Sequence, residues 1–497
     1  MITIAALTII VVTVYCIFCL IIGYYGYKRT KLEPVDYFLA GRTLGTFVLA
    51  LTFIATYASA WTFLGAVGAN YRIGISFHSC MITWNVLWPL MILALGTRLW
   101  VLGRRYGYIT PSDMFADYYE SEAIRVIACI IGIIALIPYM CIQLMGGGLA
   151  FEAATHGAIP YWVGSLYMTI VMCLYTLFGG LRAVAWTDVL QGVFFLGFLW
   201  TLVPWILLLS GGFAGAVAVN PQNFTAGRFP YGLWLGFVLT WGLSPLLPHM
   251  MQRCFMAKSP KVITRTAFLL LILSGWIQSV SVAIVGSCGT NIIPGLKGVE
   301  ADKFIVLFVT KYSPVIGSVV TAGALAAGMS TLDSQLISAS SLLTRDLYVR
   351  YARPRATPEE ETRIGKIFVI IVTIIMYLLS LKALMPLVIL GTAGAAICIS
   401  SYIWPVIGCL FWPRPGKKAA LGAMIAAAIA SLLTFAIWRN PLGIHNCIWG
   451  YIAGGIVFLA LAFTTSSPSP EKQKRFHGLI SSAIYGVTLS STNYYDP

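Results

Sequence analysis

An all-α integral membrane protein is the fold class this sequence predicts, and three observations carry the prediction. Of its 497 residues 59% are hydrophobic and only 10% are charged, more apolar surface than a water-soluble core can hide. The apolar residues fall into about thirteen runs of roughly the 20 residues that a helix needs to cross the hydrocarbon. The basic residues collect in alternate connections between those runs, as the positive-inside rule requires of a multi-pass chain.

Taken in order, the runs lie near 3–26, 46–70, 77–101, 124–151, 160–178, 183–210, 230–250, 263–287, 315–343, 364–381, 384–412, 419–438 and 445–465. The first is longer than the apolar stretch of a secretion signal and precedes no small-residue cleavage site, so it is expected to stay as a helix. With the N-terminus outside, the inner connections and tail hold 25 of the 32 Lys and Arg residues. An odd number of spans then places the Lys472-Gln473-Lys474-Arg475 tail in the cytoplasm. The net charge of +15 thus reports orientation in the cell membrane and not a nucleic-acid partner; the partner is the lipid bilayer. The eleven cysteines lack metal or disulfide spacing and read as packing residues. Asn223-Phe224-Thr225 matches a glycosylation sequon, better explained by chance.

One transmembrane domain is expected over 1–465, with an extra helix at 3–26, core segments at 46–210 and 230–412, and closing helices at 419–465. The stretch around Arg353-Pro354-Arg355 and Glu359-Glu360-Glu361 reads as a solvated linker. Residues 466–497 read as a polar, poorly ordered cytoplasmic tail with one weakly apolar patch from Leu479 to Val487.

Two spans are irregular. The second contains Ala55-Thr56-Tyr57-Ala58-Ser59-Ala60, and the seventh contains Trp241-Gly242-Leu243-Ser244-Pro245-Leu246-Leu247-Pro248-His249. Two prolines three residues apart remove donors and block an α-helix, and a broken helix survives at membrane depth only where its freed backbone lines a cavity or meets an ion. The breaks stand five spans apart, so spans 2–6 and 7–11 read as two inverted five-helix halves with a transporter's central site between them.

The ninth span carries the strongest signal, Ser330-Thr331-Leu332-Asp333-Ser334. Ala327, Ser330, Thr331, Ser334, Ser338 and Ser341 share one helix face with Asp333 at its edge. A buried carboxylate there calls for a cavity, a partner or a cation, and hard oxygen ligands with little charge suit Na⁺ better than a transition metal. A Ser/Thr-rich helix contact explains the hydroxyls but not the acid. Asp188 and Asp333 are the only acids the thirteen runs place within the hydrocarbon. For Asp188 the structural alternative is a bond to Arg182 or a helix cap.

These stretches resemble the sodium:solute symporter family. Asp36-Tyr37-Phe38-Leu39-Ala40-Gly41-Arg42 resembles that family's entry to its first core helix, 179–192 (Gly-Gly-Leu-Arg-Ala-Val-Ala-Trp-Thr-Asp-Val-Leu-Gln-Gly) its most recognisable internal stretch, and Met329 to Gln335 with Thr344-Arg345-Asp346-Leu347-Tyr348 its sodium helix. The resemblance implies a LeuT-type 5+5 inverted repeat whose first and sixth core helices are broken. It implies one Na⁺ held by carbonyls of Ala55, Ala58 and Ala327 and hydroxyls of Ser330 and Thr331. It further implies a second cation position at Ser330, Asp333, Ser334 and Asp188, where Asp333 departs from the serine of those relatives; two carboxylates there would hold a second Na⁺ or a proton. Tyr57, Ser59, Tyr139, Gln143, Trp241 and Ser244 are the candidate solute contacts, and the Ala-Thr-Tyr-Ala-Ser-Ala stretch is nearest to the pantothenate-type branch. That favours a carboxylate-bearing solute such as pantothenate or an amino acid, facing half-helix N-termini.

The expected activity is Na⁺-coupled symport of a small polar organic solute by alternating access. A membrane sensor on the same fold is disfavoured by a tail of about thirty residues, too short for a kinase domain. A proton-coupled transporter is the other alternative. No phosphate loop, nucleophile–base pair or metal spacing supports an enzyme.

Overall fold

The computed structural model describes residues 3–383 and 385–485, and these are helical throughout, with no β-strand among them. Ten helices are long and apolar enough to cross a membrane, or eleven when the bent pair Thr46–Tyr57 and Trp61–Ile73 is taken as one span. The expected count of thirteen is reached only with two further allowances. Tyr161–Leu209 is one 49-residue helix covering two expected spans, with Gly180 at φ 55°, ψ −160° inside it. Gly180 lies against Tyr37, whose carbonyl oxygen would stand 2.8 Å from an added Cβ, so glycine alone serves both the turn and the contact. The seventh span is divided into Tyr231–Gly242, Ser244–Leu246 and Pro248–Met256, each piece too short to qualify alone.

The helices are started by the side chains their sequences offer. Ser313 caps the helix that begins at Pro314 and carries Ser330 to Ser334, accepting from the Ile316 amide at 3.3 Å. Thr357 does the same for Pro358–Leu379, which carries Glu359, Glu360 and Glu361 in its first turn. That acidic run, expected in the linker, is thus a helix start, where negative charge meets the positive end of the dipole.

Taking Thr46–Ile73 as core helix 1, the following core helices are Ile75–Tyr106 (2), Glu122–Ala154 (3), the two halves of Tyr161–Leu209 (4 and 5), Tyr231–Met256 (6), Pro260–Asn291 (7), Pro314–Ala352 (8), Pro358–Leu379 (9) and Leu387–Leu410 (10). Core helices 1 and 8 are deeply enclosed, every residue being buried from Leu49 to Tyr71 and from Val320 to Leu342, whereas the N-terminal helix Ile4–Arg29 faces mostly outward. Apolar side chains on the outer surface, such as Ile17, Phe18, Ile371 and Leu459, face where acyl chains would lie.

The tail differs from its expectation. Pro470–Tyr485 is helical, Phe476 is fully buried, and its ring stacks on Tyr106 at 5.7 Å and packs against Tyr118 at 5.0 Å. Lys472 and Arg475 pair with Asp117. Burial pushes the Asp117 carboxyl up, and Lys472, Tyr108 and Arg475 more than reverse it, holding it below the usual carboxylate range. Disorder was expected because a short polar segment cannot bury enough surface alone; here a neighbouring aromatic wall supplies the rest. The end of the apolar patch, at Val487, lies outside the described residues. The sequon is structural: Asn223 is 1% exposed and its Nδ2 donates to the Tyr71 carbonyl at 3.0 Å.

Candidate functional site: two broken helices against the sodium helix

Core helix 1 breaks at Ala58, whose ψ of 86° is not helical. The second half restarts at Trp61 after a bend of 59°. The freed amides are taken up locally: Gln143 Oε1 accepts from the Ala60 N–H at 3.0 Å, and Ser59 Oγ accepts from the Trp61 N–H at 3.1 Å. Core helix 6 breaks over Leu243 to Leu247, where Leu247 is extended at ψ 140° and Pro245 and Pro248 have no N–H to satisfy.

Opposite the first break, the sodium helix presents its hydroxyls. Ser330 Oγ lies 2.9 Å from the Ala55 carbonyl oxygen and 3.2 Å from that of Ala327. Thr331 Oγ1 lies 2.9 Å from the Thr56 oxygen and 3.4 Å from those of Ala55 and Ala327. Four of the five expected sodium ligands therefore converge, the Thr56 carbonyl joins them, and Ala58 stands at the break itself. The donor set is entirely neutral oxygen, which suits a weakly bound alkali cation.

One turn further along the same helix the chemistry changes. Tyr175 donates its hydroxyl hydrogen to Asp333 Oδ2 at 2.8 Å, and Ser334 Oγ donates to Oδ1 at 3.2 Å. Thr52 donates to Asp188 Oδ2, and Asp188 Oδ1 has no hydrogen-bond partner among the described residues. Between these groups stands Arg253, 1% exposed. Its Nη2 lies 3.6 Å from Asp188 Oδ2, donates to Ser334 Oγ at 2.5 Å and also reaches Thr56. Its Nη1 donates to the His249 carbonyl at 2.9 Å.

The apolar runs 230–250 and 263–287 leave Arg253 in the connection between them, whereas the structure puts it inside the protein. The alternative bond from Asp188 to Arg182 does not form, because Arg182 pairs with Asp36. The missed signal was the acid itself: a buried carboxylate asks for a cation, and Arg253 is the basic residue nearest the second break in sequence.

The expected solute contacts sit in and around a buried aromatic cluster. Tyr57 stacks on Trp88 at 4.4 Å, Trp61 packs against Trp241 at 4.9 Å, and Tyr139 meets Trp241 edge-on at 5.4 Å and His249 at 6.0 Å. Trp241 Nε1 donates to Thr392 Oγ1 at 3.0 Å. All six expected residues are buried, but they divide in role. Tyr57 Oη and Ser244 Oγ have no partner among the described residues, and neither has His249 Nδ1. Ser59 and Gln143 instead serve the broken backbone, Gln143 also donating to the Tyr139 carbonyl at 3.0 Å. Trp61, Trp88, His249 and Thr392 were not singled out from sequence, since buried aromatics look like core.

The two ends of the helix bundle are closed differently. At one end Asp302 binds Arg72 at 3.1 Å and accepts from the Leu387 N–H at 3.0 Å, tying core helix 1 to core helix 10. Burial pushes the Asp302 carboxyl up to about 6, against the pull of Arg72. At the other end Arg125 joins Asp113, Glu122 and Asp346, and Arg345 joins Asp113 and Glu361.

A family model described as the sodium:solute symporter family matches residues 37–427. The sodium/pantothenate symporter of Escherichia coli (strain K12) is 30% identical over 450 residues, 87% of this chain and 91% of its own length. The sodium/proline symporter of the same organism is 29% identical over 505 residues, 93% and 94% of the two chains. Among solved structures, the substrate-bound outward-open state of a Na⁺-coupled sialic acid symporter matches with TM-score 0.78 at 20% identity, over 93% of this chain and 99% of that one. Mhp1, a nucleobase-cation-symport-1 family transporter in a closed conformation, matches at 0.55 with 14% identity, over 90% and 98%. These two likenesses establish the fold.

Proposed function

The chain belongs to the sodium:solute symporter family, and from that premise we propose that it uses Na⁺ to drive inward transport of a small carboxylate-bearing solute. The observation that carries this reading is the meeting of carbonyl oxygens from broken core helix 1 with Ser330 and Thr331 of core helix 8. A cation there ties the two helices together, and its departure lets them separate, which is the differential interaction that alternating access needs.

The solute stands beside the cation, against Tyr57, Tyr139 and Trp241. Tyr57 Oη, Ser244 Oγ and His249 Nδ1, buried and unpartnered, are the groups that receive its polar end. A buried polar group without a partner costs about 1–3 kcal/mol, so a solute that satisfies three of them is selected over an apolar one of equal size. The N-terminus of the half-helix Pro248–Met256 favours a carboxylate. Pantothenate and amino acids carry one, and the relatives named for pantothenate and proline support that class.

At the second cation position Arg253 already supplies one positive charge against two carboxylates, and it occupies Ser334 and Thr56. Asp333 then carries the unmatched charge, and a proton there completes the balance. The competing reading is a second sodium, in keeping with the novel Na⁺-site for which the sialic acid symporter structure is titled.

The test is uptake by purified protein in liposomes under an imposed Na⁺ gradient, screened with radiolabelled pantothenate, proline, small monocarboxylates and sugars. Full uptake without Na⁺ at constant pH overturns sodium coupling; accumulation of a neutral sugar in preference to every carboxylate overturns the solute class. The protein is placed in the cell membrane with its N-terminus outside. In a background stripped of accessible cysteines, Ser469→Cys should resist an impermeant maleimide in right-side-out cells.

A further inference from the structure

A cavity of about 480 Å³ opens where the N-terminal helix Ile4–Arg29 and its following loop meet the inner end of core helix 4 and the start of core helix 9. Three cations line it, Lys28, Arg363 and Lys366, and no acid does. Several other cations on the same basic face are matched, Arg125 by Asp113, Arg345 by Glu361, Arg353 by Glu360 and Lys472 by Asp117; what sets this cleft apart is three cations around one cavity with no acid in its wall. Lys28 and Lys366 have no ion pair among the described residues, and Arg363 has only a solvent-exposed attraction to Glu359, four residues earlier. Lys28 Nζ rests over the Tyr24 ring at 4.7 Å and Lys366 Nζ over the Tyr37 ring at 5.5 Å, contacts that hold an ammonium without neutralising it.

The remaining wall is apolar and faces outward. Phe178 is 50% exposed, Leu32 45% and Tyr27 45%. Just beyond the two basic residues of core helix 9, Ile367 and Ile371 continue the exposed strip along the membrane-facing side. Unmatched cations around one cavity repel one another, and an anion between them removes that cost. An anion at this level of a membrane protein, with an apolar strip running from it, is a lipid headgroup with its acyl chains; basic clefts between membrane helices are known to take such headgroups.

We propose that Lys28, Arg363 and Lys366 bind the phosphate of an anionic phospholipid at this cleft. The headgroup bridges the N-terminal helix, which lies outside the two repeats, to core helix 9. It does so beside Tyr37, at the entry to core helix 1. A free phosphate shares the headgroup's charge but not its tails, and the apolar strip selects the lipid.

Delipidated protein in detergent is the material for the test, with thermal unfolding and native mass spectrometry as readouts. Phosphatidylglycerol should raise the unfolding midpoint by about 3 °C or more and remain bound in the mass spectrum, whereas phosphatidylcholine and inorganic phosphate should do neither. The triple variant Lys28→Gln, Arg363→Gln, Lys366→Gln should lose both effects, and Lys417→Gln with Lys418→Gln, an exposed basic pair elsewhere, should keep them. If the triple variant does not give monodisperse protein, the single changes Lys28→Gln and Arg363→Gln should each reduce the shift. The proposal is overturned if phosphatidylglycerol fails to stabilise the native protein. It is equally overturned if inorganic phosphate reproduces the shift, or if the variants respond as the native protein does.

Discussion

The two cation positions proposed for core helix 8 stand a turn apart, and they are built on opposite principles. At Ala55, Ala327, Ser330 and Thr331 the ligands are neutral oxygens, so the only full charge is the one that a visiting ion brings. At Asp188 and Asp333 the protein supplies full charges of both signs, with Arg253 among them. A neutral cage binds weakly and releases easily, as a coupling ion must. A buried set of fixed charges is costly to disturb in any direction, because each partner left alone has lost its water as well as its match. The first position is suited to turnover, the second to holding the inner half of core helix 6 in place while one proton comes and goes.

The largest effect should come from breaking the second position. Arg253→Gln leaves Asp188 buried without its cation and is expected to cost about 3–5 kcal/mol of stability, seen as a lower unfolding midpoint in detergent. Adding Asp188→Asn removes the orphaned charge and should return more than half of that loss. A single variant as stable as the native protein would mean that the guanidinium is not paired in the membrane.

Thr331→Ala should act on the first position without touching the second. Losing one oxygen ligand is expected to cost about 1–3 kcal/mol, hence a roughly five- to hundredfold higher Na⁺ requirement for uptake, with the unfolding midpoint nearly unchanged. An unaltered Na⁺ curve would remove Thr331 from the cage.

This contrast was only half legible in the sequence. The neutral cage could be read because its parts are compositional oddities: hydroxyls in an apolar run, and alanines at a break that offer nothing but carbonyls. Both helix breaks were visible for the same reason, as proline and small polar residues where leucine would be expected. The charged position was misread at Arg253, since a hydropathy window ends a span at its first arginine and assigns the charge to a loop. Only three-dimensional proximity shows that this arginine turns back towards Asp188, 65 positions earlier in the chain. For Gln143 the spacing to Tyr139 could be read from sequence, but the bond its Oε1 accepts from the Ala60 N–H could not, because no side-chain pattern reveals which amide a broken helix leaves free. The tail helix around Phe476 stayed invisible because the wall it packs on, Tyr106 and Tyr118, lies in other segments.

A smaller effect is expected from Asp333→Ser, and it separates the two readings of the unmatched charge. If Asp333 carries a proton, the variant should flatten the pH dependence of uptake and leave a hyperbolic Na⁺ curve within about twofold of its original midpoint. If the charge is met by a second Na⁺, the native curve is sigmoidal and the variant weakens it. Variants of Asp333 and Asp188 that leave both dependences intact would make the pair purely structural.

The smallest effect belongs to Asp302, and it decides how the pH profile of Asp333 is to be read. Asp302 is another deeply buried acid with a guanidinium partner, but it sits in the outer latch, away from both proposed cation positions. Its carboxyl is pushed up to about 6 by burial, so the folded protein holds a proton there that the unfolded chain, near the ordinary carboxylate value, has already released. The contribution to stability therefore falls as pH rises from about 4 through 6, and is constant above that. Below pH 6 the protonated group gives up most of its attraction for Arg72, but it also sheds the cost of a buried charge, so by the same linkage protonation favours the closed latch over one that exposes Asp302 to water. Asp302→Asn mimics the protonated form. It should flatten a modest change in uptake between pH 5 and 7, by about twofold, while leaving the Na⁺ midpoint and its shape as they were. If instead Asp302→Asn shifts the Na⁺ curve as strongly as Asp333→Ser does, the outer latch and the cation positions are one coupled unit, and the separation between a neutral cage and a self-neutralised one no longer explains the pH response.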